Sequence, residues 1–95
     1  MMANLASVRV MVHGLVQGVF FRAFVSRKAE ELGVTGYVRN LPTGEAVEVY
    51  AEGDSKQLEE LISYLRVGPS AAKVAEVIAD WSGYTGGYSS FSIRH

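Results

Sequence analysis

Hydrophobic periodicity changes within one short run, residues 13–22, and that change constrains the fold more than any other feature of the chain. Before it, Val8, Val10 and Val12 alternate with Arg9, Met11 and His13, the period-two pattern of a strand with one buried face. After it, Phe21, Val25, Ala29 and Leu32 recur at helical spacing, and Gly33 follows at a C′ position. Between the two patterns runs His13-Gly14-Leu15-Val16-Gln17-Gly18-Val19-Phe20-Phe21-Arg22. A strand that passes through a glycine-containing loop into a helix leaves the first helical N–H groups without intrahelical partners. The helix dipole adds partial positive charge there, and Arg22 in the first turn adds a full one. Such a junction suits a phosphate or a carboxylate. The same residues would also make an ordinary glycine-containing connection with a surface arginine.

The rest of the chain supplies the remaining elements. Residues 1–6 read as a loose leader before a single domain over 7–95. Residues 36–40 are extended, and Leu41-Pro42-Thr43-Gly44 is turn chemistry. From Glu45 to Glu52, Val47, Val49 and Ala51 alternate with Glu48, Tyr50 and Glu52, which predicts a hairpin pairing 36–40 with 46–52 and a strand end at Gly53. Asp54 is an N-cap candidate, with Gln57 at the N3 position of a capping-box pattern. Leu58, Leu61, Ile62 and Leu65 form a second helical stripe, stopped by Gly68-Pro69. Residues 74–81 read as a strand, 82–87 as a flexible glycine-rich loop, and 88–93 as a last strand with Phe91 and Ile93 inward. The order β-α-β-β-α-β plus a C-terminal strand predicts an α+β, ferredoxin-like split βαβ sandwich, an antiparallel sheet with two helices on one face.

Composition narrows the function. Ninety-five residues with 48% apolar content suit one modest core. A net charge of −1 argues against a general nucleic-acid binder. The charge is uneven: residues 1–44 carry +3 and residues 45–95 carry −4, so the half with the glycine loop attracts anions. The absence of cysteine removes disulfides, thiolate nucleophiles and cysteine metal sites. His13 and His95 are too few for a histidine-rich metal centre, so neither metal nor cofactor is expected. The sequence shows neither a secretory leader nor a membrane-length apolar run, and a cytoplasmic, monomeric protein with no membrane partner is expected.

The run His-Gly-x-Val-Gln-Gly-Val-x-Phe-Arg resembles the first signature of the acylphosphatase family. Gly36-Tyr37-Val38-Arg39-Asn40 resembles its second, Gly-Trp-Val-x-Asn, with tyrosine in the usual tryptophan place. The likeness covers nearly the whole chain and implies the same ferredoxin-like fold. It implies an acylphosphate phosphohydrolase that needs no metal and releases a carboxylate and inorganic phosphate, the latter also a competitive ligand. Carried over residue by residue, it assigns the phosphate cradle to Gly14, Leu15, Val16, Gln17, Gly18, Val19, Phe20 and Phe21 and the phosphate-binding charge to Arg22. It gives Asn40 the positioning of the attacking water, although asparagine before a turn is also ordinary turn chemistry. An amide orients water but is no base, so the water's proton must go elsewhere, and a phosphate oxygen can take it. A good carboxylate leaving group and a loose transition state tolerate this.

Other residues carry weaker readings. His13 is either a proton donor or a structural strand-end residue. The adjacent pairs Glu30-Glu31 and Glu59-Glu60 point different ways on their helices and read as solvated surface. Phe20, Phe21, Phe24 and Tyr37 serve packing or loop support more readily than base stacking, and Gln17 either lines the loop or stiffens it. The alternative function is a non-catalytic ferredoxin-like module binding an anion or single-stranded RNA. The acidic run Glu45-Ala46-Val47-Glu48-Val49-Tyr50 disfavours RNA, because an RNA-recognition sheet carries a basic, aromatic central strand.

Overall fold

The period-two run around Val10 becomes the long central strand β1 (Leu5–Leu15) of a five-stranded sheet, in a computed structural model that describes residues 4–95. The other elements follow as α1 (Phe21–Leu32), β2 (Thr35–Asn40), β3 (Ala46–Asp54), α2 (Ser55–Val67), β4 (Lys73–Ser82) and β5 (Phe91–Arg94). The strand order is β4-β1-β3-β2-β5. Neighbours among the first four strands pair antiparallel, and β5 joins the edge parallel to β2, so the sheet as a whole is mixed. The split βαβ arrangement expected from the sequence is present, with both helices packed on one sheet face. Helix α1 lies over β2 and β5, and α2 over β1, β3 and β4.

Register explains the core. Val8, Val10 and Val12 of β1 stand opposite Ala51, Val49 and Val47 of β3, and Val49 in turn stands opposite Val38 of β2. All are fully buried beneath Phe21, Val25 and Ala29 of α1 and Leu58, Leu61 and Leu65 of α2. Burying each valine, leucine or phenylalanine side chain here contributes about 1.5–3 kcal/mol. Truncating Leu61 to alanine would cost about 2–5 kcal/mol. Gly33 ends α1 in the left-handed conformation, and Val34 N–H closes the turn on Ala29 O at 3.1 Å. Asp54 caps α2 by accepting from Lys56 N–H at 2.9 Å. Gln57 makes no reciprocal bond among the described residues, so the cap is single rather than a full box.

Three expectations change. The strand begins at Leu5, inside the expected 1–6 leader, because β3 runs on through Gly53 to Asp54 and offers a ladder to Ala6 and Leu5. Asn4 O also accepts from Ser55 N–H at 2.8 Å. Residues 1–3 of that leader lie outside the described residues. The last strand is shorter than residues 88–93, since Tyr88 turns its ring onto Tyr50 and Tyr37, with centroids 5.3 and 6.1 Å away. The expected flexible loop is anchored: Ser82 belongs to β4, and Thr85 and Gly86 donate to Glu52. Glu48 and Glu52 alternate with the core residues of β3 and are themselves buried, 6% and 1% exposed. Glu48 takes Arg39 Nε at 2.6 Å, Arg9 Nε at 3.2 Å and Tyr37 Oη at 3.2 Å. Tyr37 is buried there; burial, with the negative charge of Glu48, raises its pKa.

Candidate active site

The loop between β1 and α1 is shaped by two left-handed residues. Gly18 has φ 73, and a Cβ would meet nothing within 4 Å, so conformation rather than space calls for glycine. Phe20 has φ 60 and ψ 26 and stands at the N-cap of α1 without a side-chain cap. Phe24 N–H makes the first helical bond, to Phe20 O at 3.0 Å. Among the described residues, the backbone N–H groups from Gln17 to Ala23 have no protein acceptor. The first turn of α1 also holds no acidic residue. These donors and the helix dipole make an anion-attracting corner.

That corner opens on a cavity of about 370 Å³ lined by Val16, Gly18, Phe20, Phe21, Arg22, Ala23, Asn40, Ile93 and His95. Four elements meet there. The loop supplies its floor, α1 supplies Arg22, the end of β2 supplies Asn40, and the end of β5 supplies Ile93 and His95. Asn40 stands opposite Val47, on the helix-covered side of the sheet, which turns it toward the loop. Gln17 fixes that relation. Its Nε2 donates to Leu41 O at 2.9 Å and Ala46 O at 2.8 Å, tying the loop to the turn after Asn40. Of the two uses open to Gln17 in the sequence, its contacts are those of a brace.

Arg22 is half-buried and lacks a carboxylate partner among the described residues. Its Nη1 donates to Arg94 O at 3.2 Å and to His95 Nδ1 at 3.1 Å. Because arginine only donates, that second bond needs the histidine tautomer with its proton on Nε2. These contacts orient the guanidinium and leave Nη2 and Nε without protein partners among the described residues. The Asn40 carboxamide likewise makes no side-chain hydrogen bond to the protein there. An aimed guanidinium fork beside free N–H groups and a carboxamide can hold a tetrahedral anion and a water together.

The expected residues divide in space. Val16, Gly18, Phe20, Phe21, Arg22 and Asn40 line the cavity, with Val16 and Phe21 buried beneath it. Val19 packs on the core, and Gln17 braces from outside. Gly14 and Leu15 lie at the end of β1 and line a different depression with His13, Gly44, Glu45 and Ala75. Gly14 meets a steric need: with φ 135, its Cβ would fall 2.2 Å from Lys73 O, where the β1–β4 register shifts. His13 is thus away from the cavity. Sequence reasoning missed Ile93, Arg94 and His95. The signal lay in the alternation of Phe91 and Ile93: one further step puts His95 on the same face, beside Asn40 if the β2–β5 register continues. Among the described residues, no cluster of three His, Asp or Glu side chains could hold a metal.

Comparison with known proteins identifies the family. The sequence profile of the acylphosphatase family matches residues 8–93. An acylphosphatase of Dehalococcoides mccartyi is 47% identical over 87 residues, 92% of this chain and 96% of the relative. The solved acylphosphatase of Coxiella burnetii superposes with a TM-score of 0.89 at 41% identity, covering 96% of this chain and 94% of that one. That of Bacillus subtilis gives a TM-score of 0.90 at 34% identity, covering 97% and 100%. With matching signatures, fold and length, the chain belongs to the acylphosphatase family.

Proposed function

We propose that this acylphosphatase cleaves the carboxyl–phosphate anhydride of small acyl phosphates in the cavity between the 16–20 loop, the start of α1 and the end of β2. The observation that carries the reading is the meeting there of an arginine without a carboxylate partner, an uncapped helix start and an unengaged carboxamide. Arg22 and the loop N–H groups hold the phosphate, and Arg94 O and His95 hold Arg22. Asn40 orients a water at phosphorus. The new P–O bond forms as the bond to the acyl oxygen breaks, and the carboxylate leaves with the electron pair. The water's proton passes to a phosphate oxygen, giving inorganic phosphate. Positioning and charge stabilisation carry the rate, and neither a general base nor a metal is required. One domain, its first strand begun at Leu5, holds all these parts.

The protein acts as a cytoplasmic monomer on a small molecule, with inorganic phosphate as product and competitive ligand. No helix among the described residues is long and apolar enough to cross a membrane. Nucleic acid is not a partner in this reading. Tyr37, Tyr50 and Tyr88 cover one another on the open sheet face, and Arg9 and Arg39 are engaged with Glu48. Arg22→Lys tests the proposal, because lysine keeps the charge and loses the planar fork. The variant should keep its circular dichroism, lose activity by on the order of 10²-fold and bind inorganic phosphate more weakly. Wild-type kinetics in the variant would leave Arg22 an ordinary surface residue.

A further inference from the structure

Phe20 is doubly anomalous. Its backbone is left-handed, a conformation that is an outlier for a bulky side chain and natural for glycine. Its ring is 86% exposed, although it starts a helix whose next residue, Phe21, is 1% exposed. Neither the backbone nor the core accounts for a phenylalanine at this position. The ring does have one neighbour with a use for it, the cavity above the loop, which it lines. Ala23, one helical turn on, and Ile93 at the end of β5 line the same cavity. The polar members, Arg22, Asn40 and His95, account for one part of the lining, and these apolar groups for another.

Size points the same way. A volume of about 370 Å³ falls within the ~300–1,000 Å³ range of small-ligand sites. A phosphate, with five non-hydrogen atoms, leaves much of it open. Substrate sites commonly pair a few polar anchors with an apolar wall, and the wall takes the hydrocarbon part of the ligand.

We propose that Phe20, with Ala23 and Ile93, forms an acyl-group subsite that favours acyl phosphates with an aromatic or bulky hydrocarbon acyl group over acetyl phosphate. Phe20 is then a specificity-determining residue: the phosphate is held by Arg22 and the loop N–H groups, and the acyl group lies on the exposed ring. The inference rests on the phosphate position proposed above.

The test compares kcat/KM for benzoyl phosphate and acetyl phosphate in wild type, Phe20→Gly and Phe20→Leu. The ratio of the two substrates cancels any change in how the loop holds phosphate, and comparing that ratio between variant and wild type cancels their intrinsic reactivity. Phe20→Gly relieves the left-handed strain, so its thermal midpoint should not fall, and a loss cannot be blamed on folding. Its benzoyl-to-acetyl ratio should drop about tenfold, the low end for an apolar pocket contact, because the wall is open on one side. Phe20→Leu, which keeps an apolar side chain, should retain most of the ratio. An unchanged ratio in Phe20→Gly overturns the subsite. Arg22→Lys, measured with both substrates, separates the two claims. If it keeps wild-type kinetics, the phosphate position fails and the subsite fails with it. If it loses activity while Phe20→Gly keeps the wild-type ratio, only the subsite fails.

Discussion

Glu52→Gln should destabilise this protein more than most single substitutions, although the residue is remote from the candidate active site. Oε2 of Glu52 accepts from Ser7 Oγ at 2.6 Å, Tyr50 Oη at 3.0 Å, Thr85 N–H at 3.0 Å and Thr85 Oγ1 at 2.6 Å. Oε1 accepts from Gly86 N–H at 3.0 Å. All five contacts are donors, so the site is built for an acceptor-only carboxylate. Burial pushes its pKa up, but the hydrogen bonds from Ser7, Thr85 and Tyr50 outweigh it and bring it from 4.5 to about 2. At 1.36 kcal/mol per unit, the charged form gains on the order of 3 kcal/mol over the neutral one. Glutamine resembles the neutral form and turns an N–H₂ toward Gly86 N–H or toward the four other donors. Urea unfolding at pH 7 should show a loss on the order of 3 kcal/mol, a large share of a small domain's stability. The sign with pH follows from a lowered folded-state pKa. The stabilisation is complete above about 4.5 and is lost as pH falls toward 2, so the gap between wild type and Glu52→Gln should close over that window. Parallel stability curves from pH 6 to pH 2.5, or a loss under about 1 kcal/mol at pH 7, would refute the reasoning.

Two other perturbations follow from named contacts. Gly14→Ala drives a Cβ into Lys73 O at an unfavourable φ and should cost about 1–3 kcal/mol, seen as a lower thermal midpoint; an unchanged midpoint would show that β4 moves freely. Hydrolysis should survive exhaustive EDTA treatment, since Arg22 and backbone donors supply the positive charge; loss with EDTA and rescue by a divalent ion would reassign that role.

The central part of the fold was legible because its signals are local. Valine alternation at 8–12 and 47–51, the helical stripes from Phe21 and Leu58, and the Asp54 and Gly33 caps each fix an element without distant help. What the sequence hid depends on long-range partners. Leu5 and Ala6 become strand only because β3 reaches Asp54, and the 83–90 connection is held by Glu52, Ser7 and the Tyr37 and Tyr50 rings. Glu48 and Glu52 alternate with core residues, and their burial depends on Arg39 across the hairpin and on Arg9, Ser7 and Thr85, which lie far off in sequence. For the candidate site, the signature residues Arg22 and Asn40 were legible, and the structure brings them to one cavity. The contribution of β5 was not: the alternation of Phe91 and Ile93 sets the face of His95, but only the long-range parallel pairing with β2 brings Arg94 O and His95 to Arg22.

The most direct test of the proposed chemistry is kcat measured beside the inhibition constant for inorganic phosphate in Asn40→Asp, with Asn40→Ala as its companion. If Asn40 orients water, alanine should lower kcat by on the order of 10²-fold while phosphate inhibition stays nearly unchanged, because Arg22 and the loop donors are intact. Aspartate has almost the same shape and offers a base, but it brings negative charge to an anion site and lacks the amide donor. The account predicts a poor Asn40→Asp enzyme with weakened phosphate inhibition. An active Asn40→Asp enzyme with wild-type phosphate affinity would contradict it.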